Sequence, residues 1–440
     1  MARDDFLGFV GAMGGWAGYD IHAWHAEDEV QPDAFGLPAK RLIIELTPAA
    51  DAIKHCSRCG QPVEAVHDVA TRRVRDLPLM GFDLWLVFPH ARLQCPRCGP
   101  TSQQLPWLDR YQRMTKRLAD AIARLAQVFG IKPVATLFHL SWDAVKQVHA
   151  RALATWLGPL ETSDLSTVRR IAIDEFALHK GQTYATLVVE VDTKRVLWVA
   201  RGRTADALDG FWRALGPTGC ARITAVALDL ALPFLKAVRT HCPRAKIVFD
   251  LFHALQRYIA QVLDPVRYAE ANRIGQPNRH VGREHLQRLR RHLTGKGVRW
   301  LLLKAGRSVH GAARVRLDQL LAANHPLFIV YVLKEDLRAL WAYHSPTAAR
   351  RAWTDWYARA CESGIPLLVR FAHRLALSAE YIINHARHPL HTSLLEGINN
   401  KIKVMKRMAY GYRDDAYFFL RIRAAFPGNA GRTQYCLRQY

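Results

Sequence analysis

The chain has 440 residues, half of them hydrophobic and 23% charged, which excludes a disordered or fibrous protein and suits a globular one of two to four domains. Its formal net charge of +24 points to a polyanionic partner, nucleic acid before a membrane surface, because Lys and Arg contacts with phosphates release counterions. No apolar run reaches membrane-spanning length and the N-terminus lacks a basic stretch followed by an apolar one, so the expectation is a cytoplasmic protein with no membrane partner.

Residues 1–40 are Gly-rich and read as an irregular N-terminal segment. The stretch 41–108 reads as a zinc-binding module. RLIIELTP (41–48) is a strand, and Cys56-Ser-Arg-Cys59-Gly and Cys95-Pro-Arg-Cys98-Gly bracket a hairpin that turns near Met80-Gly81. Each Cys-x-x-Cys-Gly is a knuckle turn that lets two thiolates face one tetrahedral ion, so two knuckles around strands make a zinc ribbon-like module. A redox dithiol would need only one pair. Eight cysteines in a reducing compartment also favour ligands or free thiols over disulfides. The zinc here is structural, and Arg72, Arg73 and Arg75 are candidate DNA contacts.

Residues 109–165 read as helical. Leu118, Ile122, Leu125 and Phe129 form an apolar stripe stopped by Gly130, and Pro133 opens a short helix. After a His139-Leu140 turn, Ser141 caps a helix with Val145, Val148 and Ala152 inward. That spacing suits a helix-turn-helix whose second helix turns Lys146, Gln147 and Arg151 toward a major groove, although any three-helix bundle shows such stripes.

The stretch 166–254 carries the chemistry. Strand periodicity begins at Ile171 and Ile173; TYATLVVEV and RVLWVARG follow as a hairpin across Asp192–Arg195. A helix with Leu208, Phe211, Trp212 and Leu215 inward stops at Gly216-Pro217, and a further strand ends on Asp229. Three strands, a helix and a fourth strand, with Asp174 on the first and Asp229 just past the last, is the order of an α/β ribonuclease-H-like core, which holds carboxylates around metal ions. An α/β domain with two incidental aspartates is the plainer alternative. A fifth strand ends at Asp250. The stretch 255–390 is almost wholly helical and strongly basic in part, and reads as an insertion into the core, because it is too long for a loop. Its Trp and Arg residues are either core packing or DNA clamps.

The helix within 391–426 closes the site. Ile398, Ile402 and Met405 share one face; Glu396, Asn400, Lys403 and Arg407 run along another. A lone Glu opening a helix is usually a charge at the positive dipole end. A Glu leading a row of Asn, Lys and Arg is better explained as a metal ligand with a phosphate-binding track behind it. Residues 427–440 form a C-terminal tail.

The stretches CSRCG…CPRCG, IDEFALHKGQTYATLVVEVD, VFDLFHALQRY, RWLLLK and SLLEGINNKIKVMKRMAYGYRDDAYFFLRIRAAF, in that order, resemble bacterial insertion-sequence transposases of the ISL-three (ISL3) family. The resemblance covers about residues 41–426. It implies a DDE triad of Asp174, Asp229 and Glu396, and Asp250 with His253 resembles the Asp-x-x-His motif of Mutator-like and hAT transposases, a supporting pair around the triad. Three carboxylates offer hard oxygens that suit Mg²⁺ or Mn²⁺. Two such ions about 4 Å apart would activate a water or a 3′-hydroxyl for in-line attack on a phosphodiester. The resemblance further implies double-stranded DNA partners (terminal inverted repeats and target DNA) and a homodimer or larger assembly on DNA. A ribonuclease-H-like nuclease and a non-catalytic, sequence-specific DNA-binding protein are the alternatives.

Overall fold

The computed structural model describes residues 11, 14–32, 38–179, 181, 183–229, 232–274, 276, 282–390 and 393–429. Parts of the N-terminal segment and of the tail (1–10 and 430–440) lie outside the described residues. The chain divides into two compact units, Met1–Gly158 and Pro159–Tyr440.

In the first unit, β1 (Tyr19–Pro32), β2 (Pro38–Pro48), β3 (Val66–Arg75), β4 (Asp83–Cys95) and β5 (Gly99–Ser102) make one sheet in the order β1-β2-β4-β3, with β5 paired to β4. Strand β1 corrects the irregular reading of residues 1–40. Its sequence, YDIHAWHAEDEVQP, has no apolar run, because an edge strand leaves much of its surface to water. Alternation in β4 sends Leu84, Leu86 and Phe88 into a core shared with Ile44, Leu46, Val74 and Trp107. The β3–β4 hairpin turns at Met80 (φ 50°) and Gly81 (φ 83°), closed by reciprocal Leu79–Phe82 backbone bonds of 3.0 and 2.9 Å. Two consecutive positive φ angles give the turn a twist that matches the flanking strands.

Three helices follow, α1 (Lys116–Val128), α2 (Ile131–Leu137) and α3 (Trp142–Leu157). Ser141 caps α3, its hydroxyl accepting from the Ala144 N–H at 3.1 Å. The inward stripe of α1 is shifted from the expected one: Leu118, Ile122, Ala123 and Ala126 are buried, whereas Phe129 lies past the helix end and is exposed. In α3, Val145 and Val148 are buried with His149 and Leu153. Asp76, fully buried, fastens the sheet to these helices and to the N-terminal segment. Its carboxylate accepts from Trp16 Nε1 (2.7 Å), Thr115 Oγ1 (2.6 Å) and the Arg117 guanidinium.

The second unit is built on β6 (Arg170–His179), β7 (Thr183–Glu190), β8 (Arg195–Arg201), β9 (Ala225–Leu228) and β10 (Lys246–Phe249), in the order β10-β9-β6-β7-β8. Strands β6, β9 and β10 run parallel, and β7 and β8 are antiparallel. Between β8 and β9 lies α4 (Asp209–Arg222). Gly216 and Pro217 kink this helix where they were expected to end it: Gly216 takes φ 66°, and a further short helical run carries on to Arg222. Helices α5 (Leu232–His241) and α6 (Leu251–Tyr258) flank β10. Ile171, Ile173, Val226 and Leu228 pack with Phe211, Trp212 and Phe234 on one face of the sheet. Ala172, Phe176, Ala225, Ala227 and Val248 face the other way, against Leu395, Ile398, Ile402 and Phe418. The last group comes from α15 (Ser393–Met408) and α16 (Asp415–Ala425), which are reached only after the long helical stretch.

That stretch comprises α7 (Asp264–Ile274), α8 (Arg283–Thr294), α9 (Lys296–Leu303), α10 (Gly311–Ala322), α11 (His325–Ala339), α12 (Pro346–Glu362), α13 (Pro366–Ala376) and α14 (Ala379–Ile383). It has its own core, in which Trp341, Trp353 and Trp356 are buried. Two of their indoles donate to backbone carbonyls, Trp341 to Phe249 and Trp356 to Leu333. These tryptophans serve packing.

Candidate functional site

Asp174 sits near the middle of the β6 sequence, only 8% exposed, on the sheet face covered by α15. Its carboxylate accepts from the Glu175 N–H and from Asn399 Nδ2 of α15, both at 2.8 Å. His253 Nε2 lies 3.9 Å from Asp174 and 3.7 Å from Asp250, between the two carboxylates. Burial above all pushes the Asp174 carboxyl up to about 6, and the charge of Asp250 adds to the rise. Burial and the charge of Asp229 raise Glu175 likewise. One end of the sheet therefore gathers negative charge that is costly to hold without a cation.

Pairing register explains the gathering. Ile173 pairs with Leu228, and Leu228 with Phe249, so Asp174, Asp229 and Asp250 each follow one member of a row across three parallel strands. Alternation puts Asp174 on the face of Ala172 and Phe176 and sends Glu175 to the face of Ile171 and Ile173. Glu396 is exposed in the first turn of α15, three residues before Asn399. Among the described residues, the four cysteines are the one group of three or more such side chains whose ligand atoms all lie within 4.8 Å of one another; the triad residues are not drawn that tightly. Asn399 was missed by sequence reasoning. Its signal was the i, i+3 spacing from Glu396, which puts it one turn along the same side of the helix.

Behind Glu396, Asn400, Lys403 and Arg407 are exposed, while Leu395, Ile398 and Ile402 are buried. Lys406 ties the helix to β6 through the Ala177 carbonyl at 2.8 Å.

In the first unit, the knuckles bring Cys56, Cys59, Cys95 and Cys98 together. The Cys59 and Cys95 sulfurs are 3.7 Å apart, close to the roughly 3.8 Å edge of a tetrahedron with Zn–S bonds of about 2.3 Å. Burial opposes ionisation of Cys56, but the Cys59 and Arg58 backbone N–H groups and the neighbouring thiols outweigh it and hold the group at about 6. Cys98 is pushed to about 12 by burial and by the Cys59 and Cys56 thiols. Four thiols this close cannot all ionise without a cation among them, so the donor set fits zinc.

The candidate DNA contacts divide. In α3, Gln147 and Arg151 are exposed, and Lys146 is half-buried with its ammonium 5.6 Å from the Trp142 ring centre. Arg73 is exposed over the Trp85 ring. Arg72 is half-buried and donates to the Gln112 carbonyl. Arg75 is corrected: it is buried, paired with Asp83 at 2.7 Å and bonded to the His139 carbonyl, so it joins β3 to the α2–α3 turn and is not offered to DNA. Strand spacing alone could not separate it from exposed Arg73 on the same face, because its partners come from the next strand and from the α2–α3 turn.

Among the described residues no helix is long and apolar enough to cross a membrane. A family model described as a transposase matches residues 171–422. One for the helix-turn-helix domain of transposase family ISL3 matches 103–152, and one for the zinc-finger of transposase IS204/IS1001/IS1096/IS1165 matches 54–98. The chain is similar to the transposase for insertion sequence element IS1001 of Bordetella parapertussis, 43% identical over 423 residues that cover 95% of this chain and 98% of the relative. It is also similar to the transposase for insertion sequence element IS1557 of Mycobacterium tuberculosis, 28% identical over 391 residues, 85% of this chain and 86% of the relative. The zinc-finger match and the converging thiols support a structural zinc, and the helix-turn-helix and transposase matches imply DNA binding. The chain belongs to the ISL3 family of insertion-sequence transposases.

Proposed function

We propose that this transposase binds the terminal inverted repeats of its insertion sequence, cleaves the ends and joins their 3′-hydroxyls to target DNA. The reading takes the sheet of the second unit as a ribonuclease-H-like core interrupted by the helical stretch. The observation that carries it is the pairing of buried Asp174 with Asn399, which fastens the Glu396 helix to the aspartate-bearing end of the sheet. Asp174, Asp229 and Glu396 would hold Mg²⁺ or Mn²⁺, which supplies Lewis-acid stabilisation of charge on the attacking and leaving oxygens. Their hard oxygens and the raised Asp174 carboxyl fit such a cation.

The chain's own groups do the rest. Asn399 fixes one oxygen of Asp174, leaving the carboxylate in a single orientation. His253, between Asp174 and Asp250, holds Asp250 as a supporting group. Asn400, Lys403 and Arg407 form an exposed track for the DNA backbone. The zinc module and α3 select the element end through Gln147 and Arg151, with Lys146, Arg72 and Arg73 assisting. Because two ends must be joined to one target, a dimer or larger assembly on DNA follows from the reaction. No covalent protein–DNA intermediate is required. Water adds at the end phosphodiester to release a 3′-hydroxyl, and that hydroxyl then displaces a 3′ leaving oxygen in the target.

Full-length protein incubated with Mg²⁺ and labelled inverted-repeat DNA tests the reading. Joined products are expected. Cut products alone would favour a ribonuclease-H-like nuclease, and binding alone a regulator.

A further inference from the structure

A strongly basic stretch of the second unit lies away from the carboxylates in sequence and takes no part in the reading above. From Arg283 to Arg307 the chain carries eight Lys or Arg residues and one acid, Glu284. In α8, Leu286 and Leu293 are buried, so helical geometry turns Arg288 and Arg291 outward, and both are exposed. In α9, Val298 and Leu302 face the core. Lys296, Trp300 and Lys304 follow one another at four-residue spacing, about 6 Å of helix rise per step, and all three are exposed. Trp300 is 63% exposed, whereas Trp341, Trp353 and Trp356 of the same helical region are buried in its core. An indole left in water between two lysines is not explained by packing.

This surface is held in place from beneath. Buried Arg267 of α7 donates to the Leu293 carbonyl at the end of α8 (2.7 Å). Buried Lys334 of α11 donates to the carbonyls of Leu302 and Lys304 at the end of α9. Glu335 beside it accepts from the Gly306 N–H at 2.8 Å. Both helix C-termini, whose carbonyls otherwise lack partners, are thus satisfied by buried cations, and the exposed cations are presented on a fixed frame. Asp264, at the start of α7, is already engaged by Arg267 and Arg299.

We propose that α8 and α9 form a second DNA surface, separate from the zinc module and helix-turn-helix, that takes DNA bearing unpaired bases. Arg288, Arg291, Lys296 and Lys304 contact phosphates, and Trp300 stacks on an unpaired base. Cations tracking a backbone beside an aromatic platform is the chemistry by which unpaired strands are bound without sequence preference. The inference rests on the reading that this chain acts on DNA, and not on the identity of its metal ligands.

The test uses the full-length, zinc-loaded protein with two duplexes of random sequence, one blunt and one carrying a single-stranded tail. Trp300→Ala should weaken binding to the tailed duplex about tenfold or more and leave blunt binding unchanged, and Trp300→Phe should restore most of the loss. The triple change Arg288→Gln, Arg291→Gln, Lys296→Gln should lower the salt dependence of tailed-DNA binding by about two to three units of slope, near 0.7–0.9 per lost phosphate contact. Should the triple variant fail to fold, hydrogen exchange on the parent protein replaces it, with slowed exchange across α8 and α9 expected on adding tailed DNA. An unchanged salt slope, equal losses on both duplexes, or exchange that DNA does not slow would overturn the proposal. Asp174→Asn should keep this binding while losing strand joining, so failure of the catalytic reading would be seen separately.

Discussion

Buried charge decides more at single residues than any motif does. Asp76 is fully buried and accepts from Trp16, Thr115 and Arg117, each far from it in the chain. Asp76→Ala would leave the Arg117 guanidinium and two buried donors without their acceptor, and should cost about 3–5 kcal/mol, read by urea unfolding of the first unit. Asp120→Ala, which breaks only the exposed Asp120–Arg124 pair, should cost about 0.5 kcal/mol or less. Equal losses would show that Asp76 is not the hub. Neither Asp76 nor Arg75 could be singled out in the sequence, because periodicity reports which face is buried and says nothing of a partner forty residues away. The second ligand of the proposed catalytic centre is a question at the same scale. Asp229 follows the strand beside Asp174, whereas Asp250 lies one strand farther out, yet Asp250 and His253 are the groups whose charges reach Asp174. Adjacency of the strands favours Asp229. Asp229→Asn should therefore abolish both end cleavage and strand joining with DNA binding intact, and Asp250→Asn should impair activity less completely or change its metal preference. A fully dead Asp250→Asn beside an active Asp229→Asn would reverse the assignment.

Elements were legible where their chemistry is local. Two knuckles, a Ser cap and a two-residue hairpin each depend on neighbours within a few positions, and Cys56–Cys98, Ser141 and Met80-Gly81 stand as expected. Strand β1 was hidden because its sequence mixes His and acids with few apolar side chains, and the kink at Gly216 because a helix stop and a helix break share one signal. The zinc module yields a direct check: purified protein should contain one zinc per chain, measured by metal analysis. Cys95→Ser should lose the metal and weaken end binding more than it disturbs the second unit. Helix α3 gives another. Gln147 is exposed on it, and a good base contact contributes about 1–3 kcal/mol of discrimination, so Gln147→Ala should narrow the gap between inverted-repeat and random DNA. Arg151→Ala, if Arg151 holds a phosphate, should weaken both alike. A Gln147→Ala protein with full preference for the repeat would move recognition to another element.

The whole chain splits at Gly158, where φ is 61° and a helix gives way to a Pro-led connection. The first unit carries the zinc cysteines and the helix-turn-helix match, and the second carries every proposed catalytic carboxylate. Each unit has its own hydrophobic clusters, which is what independent folding requires. If end selection and phosphodiester chemistry are divided along that line, residues 1–158 prepared alone should fold with zinc and prefer inverted-repeat DNA over random duplex in a band-shift assay. They should cut neither. Residues 159–440 should bind both DNAs with little preference, because a basic surface that contacts phosphates carries no base code. The two affinities need not multiply to that of the intact protein, since joining the units raises the effective concentration of each at the other's site. A 1–158 fragment that folds, holds zinc and still fails to distinguish the repeat would place end recognition, at least in part, in the second unit.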